Sequence, residues 1–293
     1  MLRIALVGIL LQLLLQTDGA EALCCDDIRS NIENRTLAYN ILCSKGEEHL
    51  GNCCRVIEED LRKHKLAYQT LCPKPGRNLA IFKSCAELYS SGIRKDGVYT
   101  IDPDGQGSFN VSCDMSTSRG GWTVFQRRQD GSEDFFLGWS DYKAGFGDLN
   151  GEFWLGLDKI HRLSKSGQNV LRVDLMDFNG AEAYAEYGTF SVADESDKYR
   201  LNIGSYSGDA SDSLAWHNQM QFTTKDSDND ADGSNCATTW KGAWWYKNCH
   251  SCNLNGLYLG AGQIDATGIT WYYWKSSSYS MKKSEMKIRP NQI

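Results

Sequence analysis

Near the start of the chain, apolar residues recur at helical spacing in two successive stretches. Residues 24–43 and 53–72 align without gaps at an offset of 29 residues, and each opens with Cys-Cys. In both copies, steps of four, seven and three residues place the apolar positions on one helix face. These positions are Ile28, Ile32, Tyr39 and Leu42, then Ile57, Leu61, Tyr68 and Leu71. We therefore predict a duplicated unit over residues 23–72, folded as a small cysteine-rich antiparallel helical hairpin.

From Lys83 onward the pattern changes, because aromatic residues, glycines and turn sequences become dense and helical periodicity weakens. Residues 153–163 are predicted to form a short helix. Runs rich in β-branched and aromatic residues predict strands at 98–101, 122–126 and 170–175. The pattern predicts an α+β domain over residues 84–293, built around an antiparallel sheet and long enough to bury a sizeable core.

The segments on either side of the helical unit differ from it in composition. Residues 73–83 contain two prolines and a glycine within 73–76, which disfavour a helix and predict a linker. Residues 1–22 combine a basic start, an apolar run at 4–15 and a small-x-small end, as secretory signal peptides do. The alternative, a membrane anchor, needs about twenty apolar residues. We predict a secreted, extracellular protein without membrane insertion.

Charge and cysteine content bear on possible partners. The 31 basic and 37 acidic residues give a formal charge of −6. The sequence contains no long basic run of the kind that binds nucleic acid. Eleven cysteines in an exported protein indicate disulfides, and the odd number leaves at least one to pair between chains or stay free. Either spare cysteines of the hairpin join chains into homo-oligomers, or the hairpin pairs within itself and another bridge forms elsewhere. The sequence leaves open the pairing of Cys24, Cys25, Cys43, Cys53, Cys54, Cys72 and Cys252.

Two sequons and one acidic stretch mark candidate sites. Asn34 and Asn110 each begin an Asn-x-Ser/Thr pattern and are therefore candidate glycan acceptors. Residues 226–235 hold four acids in ten residues, a run that repels itself unless a hard cation such as Ca²⁺ lies among its oxygens. The spacing is not that of an EF-hand. Composition alone leaves a solvated acidic loop as the alternative.

Nine motifs in family order resemble a fibrinogen-related domain and together cover about residues 84–293. They are SCAEL at 84–88, DGVY at 96–99, CDM at 113–115, GGWTV at 120–124, QRR at 126–128, FGDLNGEFWLGLDKIHRL at 146–163, DNDADGSNCA at 228–237, GAWWYKNCHSCNLNG at 242–256 and SEMKIRP at 284–290. Within the family, the sequence is most similar to ficolins, tachylectins and related lectins that bind acetyl groups. The resemblance implies a fibrinogen C-terminal-like globular fold with a loop-rich calcium-binding subdomain.

The resemblance also implies a metal site and two disulfides. Side-chain oxygens of Asp228 and Asp230 and backbone carbonyls of Asp232 and Ser234 are the implied Ca²⁺ ligands, and the ion is expected to clamp the binding loops. The implied disulfides join Cys85 to Cys113 and Cys236 to Cys249. Cys252 stands where such lectins usually carry serine.

By the same resemblance, a small aromatic funnel beside the acidic loop holds an acetyl group, after a cis peptide bond between Asn248 and Cys249. An apolar cup takes the methyl group and backbone donors take the carbonyl oxygen. Asp265 and Ser277 depart from the family, because aromatic residues stand there in relatives. Trp244 and Trp245 are predicted to belong to the core. The implied ligand-binding residues are Trp240, Asn248, Cys249, His250, Asp265 and Ala266.

Two functions are consistent with these residues, and a third is not expected. The first is a secreted calcium-dependent lectin that recognises acetylated or related glycans in innate immunity, as a disulfide-linked oligomer with raised avidity. The second is an extracellular protein-binding ligand or matrix component of the angiopoietin-like or tenascin-like type. An enzyme is not expected, because the cysteine of the Cys249-His250 pair is assigned to a disulfide and cannot act as a nucleophile.

Overall fold

The computed structural model separates the protein into two compact units, Met1–Ala80 and Ile81–Ile293. The predicted signal peptide and the bridges of the hairpin cysteines lie outside the described residues. In the first unit only three further positions are described, Ile32, Asn34 and Thr36, and side chains are described for residues 55–65. The structure describes residues 51–71, 81–165, 168–261, 263–275 and 278–291.

The second helical stretch forms one long helix, α1 (Gly51–Leu71). Ile57 and Leu61, two residues of the predicted apolar face, are buried, whereas Val56, which is not one of the apolar-face positions, is 65% exposed. This confirms the helix predicted over the second copy. The antiparallel pairing of the two copies stays a prediction. Within the described residues, no helix has both the length and the apolarity required to cross a bilayer.

The second unit is built on a nine-stranded sheet in which neighbouring strands run antiparallel, as the sequence predicts. Its order is β1-β2-β3-β11-β6-β7-β8, β5 pairs with both β3 and β4, and β9 and β10 form a separate pair. The long strands are β1 (Gly97–Ile101), β2 (Phe109–Asp114), β3 (Trp122–Arg128), β6 (Asn169–Met176), β7 (Glu182–Val192), β8 (Leu201–Gly208) and β11 (Lys283–Pro290). The short strands are β4 (Phe146–Gly147), β5 (Phe153–Trp154), β9 (Cys252–Asn253) and β10 (Thr270–Trp271).

Short helices connect the strands, and one of them corrects a prediction. The segment 153–163 is not one helix, because its first two residues pair with β3 as strand β5. Gly156 separates strand from helix with a φ of 107°, and a Cβ there would lie 2.6 Å from the carbonyl oxygen of Ala144. The helices of the second unit are α2 (Cys85–Ser90), α3 (Trp139–Ala144), α4 (Leu157–Ser164), α5 (Cys236–Trp240) and α6 (Tyr272–Lys275).

The two faces of the sheet differ in polarity. Alternate residues of β6, including Leu171 and Val173, are buried on the inner face, where α4 packs against β7. Trp244 and Trp245 are also fully buried, which confirms their assignment to the core. On the outer face, the ammonium group of Lys287 lies 2.5 to 3.0 Å from carboxylates of three residues, Asp114, Asp174 and Glu285.

Both disulfides implied by the resemblance are present. Cys85 and Cys113 join α2 to β2, with their Cα atoms 5.6 Å apart. Cys236 and Cys249 join the start of α5 to the segment between α5 and β9, with Cα atoms 5.7 Å apart. The second bridge brings two loop regions of the subdomain together.

Candidate functional site

The acidic loop, residues 226–235, is held by side chains near its start. The backbone N–H of Asn229 donates to the hydroxyl of Thr223 at 3.0 Å. Asp226 accepts a 2.9 Å hydrogen bond from the backbone N–H of Trp139, at the start of α3. These bonds hold the first residues of the acidic loop to Thr223 and to the start of α3.

Two carboxylates in this loop lie close together. Asp230 is half-buried and accepts N–H groups of Asp232 and Cys236, each at 2.9 Å. Asp228 accepts the N–H of Asp230 at 3.3 Å. Burial raises the pKa of Asp230, and the charge of Asp228 raises it further against the lowering effect of the two N–H donors. The pair therefore favours a nearby positive charge.

The donor set fits a calcium ion. The carboxylate of Asp232 is occupied by the N–H and hydroxyl of Ser234, at 3.0 and 2.8 Å. Among the backbone hydrogen bonds of the described residues, the carbonyls of Asp232 and Ser234 accept none. Two carboxylates and two carbonyls are hard oxygen ligands of the kind Ca²⁺ takes. Asp228 and Asp230 would hold a Ca²⁺ ion with their side chains, and its charge would offset the repulsion between their carboxylates.

The acidic loop is joined to the segment that contains the cis peptide bond. The bond between Asn248 and Cys249 is cis, as the resemblance implies. The carboxylate of Asp232 lies within 4.8 Å of the sulfur atoms of Cys236 and Cys249. These sulfurs are joined to each other, so they are not thiolate ligands for a metal.

Three of the predicted ligand-binding residues meet at one surface. The rings of Trp240 and His250 pack edge to face with centroids 4.9 Å apart, and both residues are half-buried. Burial lowers the pKa of His250 to about 4, against a hydrogen bond to the backbone of Ala266 that raises it. His250 is therefore neutral at physiological pH. The neutral imidazole, the indole and Ala266 form a small, largely apolar wall.

The remaining predicted residues lie at the rim of this surface. Asn248 is exposed, and Cys249 is half-buried in its disulfide. Asp265 is exposed, and its carboxylate accepts the backbone N–H of Thr267 at 2.9 Å, which lowers its pKa. Ser277 lies outside the described residues. The structure thus places Asp265 next to Ala266, with its charge in solvent and bonded within its own turn.

A buried histidine that the sequence did not single out supports this surface. His217 is fully buried, and its Nε2 accepts the backbone N–H groups of Ser251 and Cys252 at 3.2 Å each. Nδ1 therefore carries the proton and donates to the carbonyl of Trp245 at 2.8 Å. Burial lowers the pKa of His217 to about 3. The neutral ring fixes the backbone just after His250, and no local motif indicates this role.

Two further residues, Tyr246 and Asn253, contact the residues of this wall. The Tyr246 ring is fully buried, 6.3 Å from the His250 ring. Its hydroxyl donates to Oδ1 of Asn253 at 2.7 Å, and Nδ2 of Asn253 donates to the carbonyl of Trp240 at 3.0 Å. Both residues lie inside the motif at 242–256. The motif indicated that this region belongs to the site, but it did not predict these hydrogen bonds.

Cys252 is buried and, among the described cysteines, forms no disulfide. Burial raises the pKa of its thiol well above the usual range. A thiol in this environment stays protonated at physiological pH and is a poor nucleophile. The cysteine packs in the core beside the site.

Comparison with known proteins identifies the second unit. Residues 81–291 match the family described as fibrinogen beta and gamma chains, C-terminal globular domain. Fibrinogen C domain-containing protein 1-B of Xenopus laevis is 53% identical over 215 residues, covering 71% of this protein and 47% of that one. Tenascin-R of Gallus gallus is 51% identical over 217 residues, covering 73% of this protein and 16% of that one. The sequence thus spans about half or less of the length of these relatives.

Solved structures show the same fold. The fibrinogen-like globe domain of human ANGPTL6 is 43% identical with a TM-score of 0.70, covering 72% of this protein and 96% of that domain. Lamprey fibrin D-dimer, complexed with the peptide ligand Gly-His-Arg-Pro-amide, is 30% identical with a TM-score of 0.69, covering 92% of this protein and 93% of the matched one. The fibrinogen-related fold is confirmed. The relatives found are of the fibrinogen C domain-containing protein 1, tenascin and ANGPTL types, so the narrower likeness to ficolins and tachylectins is not supported.

Proposed function

The protein belongs to the family defined by the C-terminal globular domain of the fibrinogen beta and gamma chains, and on that premise we propose that it is a secreted, calcium-dependent, lectin-like recognition protein. Its proposed ligands are acetylated or related glycans. Domains of this family are generally non-enzymatic binding or structural domains, and the role proposed here is binding alone. Recognition of surface glycans by an exported protein suits a function in innate immunity.

One observation carries the proposal. The wall formed by Trp240, His250 and Ala266 is small and largely apolar, and it stands beside the oxygen-rich loop. An acetyl group needs an apolar contact for its methyl group and a hydrogen-bond donor for its oxygen. The backbone N–H groups of Cys249 and His250 are the proposed donors, since those of Ser251 and Cys252 already donate to His217. The ring of His250 is neutral at physiological pH, so it can contact an uncharged acetyl group without placing a charge beside it.

Calcium has a structural role in this proposal. The ion would be held by the carboxylates of Asp228 and Asp230 and the carbonyls of Asp232 and Ser234. The loop that holds it is linked to the pocket segment by the Cys236–Cys249 bridge. Removal of calcium is therefore expected to loosen the pocket without removing any of its side chains.

Oligomer formation is proposed for the first unit. Cysteines of the duplicated region would join subunits covalently, so that several pockets engage one surface and avidity exceeds the affinity of one pocket. A non-reducing gel tests this directly. Disulfide-linked species above the monomer are expected, and monomer alone would exclude the covalent oligomer.

The decisive experiment measures retention of the full-length protein on acetylated resin in calcium buffer, followed by elution with EDTA or with N-acetylglucosamine. Retention with elution by both agents is the expected result. Trp240→Ala should abolish retention, because it removes the aromatic wall. Trp216→Ala is the matched control, since Trp216 is also an accessible tryptophan, 44% exposed, and is not part of the proposed wall. A folded, calcium-loaded protein that passes through the resin contradicts the lectin proposal.

A second candidate is an extracellular protein-binding ligand or matrix component of the angiopoietin-like or tenascin-like type. It is favoured by the exposed charge of Asp265 beside Ala266 and by the neighbouring Ile264, which is 74% exposed. An acid and an aliphatic side chain at the rim suit a protein partner better than an acetyl group. Loss of binding to intact cells on adding N-acetylglucosamine supports the lectin, whereas binding that is resistant to the sugar supports a protein partner.

A further inference from the structure

Asn110 lies on an accessible part of the sheet near one end of β2. It is exposed, and its Oδ1 accepts the hydroxyl of Thr100 at 2.8 Å. This bond leaves Nδ2, the atom that would carry a sugar, without a hydrogen-bond acceptor among the described residues. Ser112, the third residue of the sequon, lies two positions along the same strand and accepts a hydrogen bond from Arg127 at 3.1 Å.

The register between β1 and β2 shows what lies around Asn110. Thr100 is directly opposite Asn110, and Val98 is opposite Ser112. Residues opposite each other in antiparallel strands project from the same face. Asn110 therefore shares the outer face with Val98, whose side chain is 37% exposed. This is one of the few large apolar side chains that the described part of the domain leaves in solvent.

β1 is the terminal strand of the sheet, and among the described strands only β2 pairs with it. A free strand edge offers unpaired N–H and C=O groups to another polypeptide and is a site of association. Edges are commonly blunted by charge, proline, a bulge or a covering element. The sequence of β1, Gly-Val-Tyr-Thr-Ile, contains neither charge nor proline. The edge therefore lacks protection by its own side chains.

We propose that Asn110 carries an N-linked glycan whose core sugars lie over Val98 and the free edge of β1. Adjacent strands are about 4.8 Å apart, so a sugar on β2 is only one strand spacing from that edge. A bulky, solvated group there blocks the approach of a strand from another molecule. The proposal rests on the proposed function in one respect, because the protein must pass through the secretory pathway to be modified.

The first test is expression of the full-length protein in secreting animal cells, followed by peptide-N-glycosidase treatment and gel mobility. Asn110→Gln is expected to remove one glycan increment, and Ser112→Thr, which keeps both sequon and hydroxyl, is expected to retain it. Asn34→Gln reports separately on the other sequon. Secreted protein with unmodified Asn110 overturns the inference and leaves export intact. Protein retained in cells without sugar at either asparagine overturns both the inference and the proposed secretion.

The second test concerns the edge. Asn110→Gln is expected to form assemblies larger than the native oligomer. Light scattering measures this at a concentration where the glycosylated protein keeps its native size. Val98→Lys in the Asn110→Gln background should restore the native size, because a charge on an edge strand opposes strand pairing. An unchanged size distribution for both Asn110→Gln and the enzymatically deglycosylated protein overturns the shielding role.

Discussion

The backbone N–H of Ala231 donates a 3.0 Å hydrogen bond to the carbonyl oxygen of Lys247. Ala231 lies in the middle of the acidic loop, and Lys247 comes two residues before the half-cystine Cys249. Together with the Cys236–Cys249 bridge, this bond connects the oxygen-rich loop to the pocket segment at two points. The arrangement gives a physical reason for the proposed calcium binding and the proposed ligand binding to depend on each other.

The first prediction concerns calcium. Asp230→Asn removes one of two adjacent carboxylates, so we expect calcium affinity to fall by about tenfold or more, measured by isothermal titration calorimetry. The rise in melting temperature on adding calcium should shrink in parallel, since that rise depends on the affinity of the native state. Glu133→Gln removes the charge of a half-buried residue outside the loop and serves as control. Equal calcium affinity in Asp230→Asn and the parent protein would exclude the assigned site.

The second prediction separates the two disulfides. Replacement of both cysteines by serine should cost about 2–5 kcal/mol of unfolding free energy for either bridge, because the unfolded polypeptide gains freedom. Only the Cys236–Cys249 pair is expected to lose calcium-dependent resin retention as well, because it joins the loop to the pocket. The Cys85–Cys113 pair, which joins α2 to β2, is the matched control. The comparison uses chemical denaturation and resin binding, and equal retention by both variants would contradict the coupling.

The third prediction concerns the rim of the pocket. Asp265→Tyr replaces an exposed charge by an aromatic wall, so affinity for N-acetylglucosamine should rise by about tenfold, measured by inhibition of resin binding. Asp265→Asn separates the two effects, because it removes the charge without adding a ring. An affinity that falls in both variants would mean that the carboxylate itself contacts the ligand.

The fourth prediction is a pH dependence of stability. Burial lowers the pKa of His217 from 6.5 to about 3, so the unfolded protein takes up a proton first as the pH falls. The contribution of His217 to the free energy of unfolding is present in full above pH 6.5 and is lost progressively between pH 6.5 and about 3. Within this window, the uptake of one proton lowers the free energy of unfolding by about 1.4 kcal/mol per pH unit. Urea unfolding at several pH values in this window, with EDTA present throughout, measures it.

A matched variant isolates the histidine. His217→Gln keeps a polar side chain without a titrating group, so its stability should depend less steeply on pH than that of the parent protein. The variant is expected to be less stable near neutral pH, because the hydrogen bonds of the neutral imidazole ring are lost. Identical slopes for the two proteins would assign the acid sensitivity to other groups.

The fifth prediction concerns a buried ion pair. Nε of Arg128 and Oε1 of Glu152 are 3.9 Å apart, and both side chains are almost fully buried. Arg128 also donates to the carbonyl of Gly256 at 2.6 Å, which joins β3 to the loop following β9. Arg128→Met should therefore cost about 3–5 kcal/mol, since it leaves a buried carboxylate without its cation. Denaturant unfolding of this variant measures the loss.

The double variant Arg128→Met/Glu152→Gln tests that explanation. Removing the uncompensated charge should recover part of the lost stability, giving a coupling energy in a double-mutant cycle. Additive losses from the two single variants would indicate that each residue acts through separate contacts, such as the N–H groups of Gln129 and Asp130 that donate to Glu152.

Local pattern was sufficient for much of the fold. The strand runs in β3 and β6 and the helix α1 follow from periodicity and residue type, which act over a few neighbours. The split of residues 153–163 did not follow, because Phe153 and Trp154 become a strand only through their pairing with β3. A two-residue strand carries too little local signal to be distinguished from the helix that follows.

By itself, the sequence determined the family, the position of the acidic loop and the residue types of the proposed binding surface, since these reside in contiguous motifs. Only the tertiary structure decided how they meet. It brought His217 beneath Ser251, set the Trp240 ring against His250 and bonded the Asp265 carboxylate within its own turn. These relationships join residues that are distant along the sequence or depend on side-chain orientation. They are fixed by burial and hydrogen bonding in the folded domain, which short-range sequence pattern does not encode.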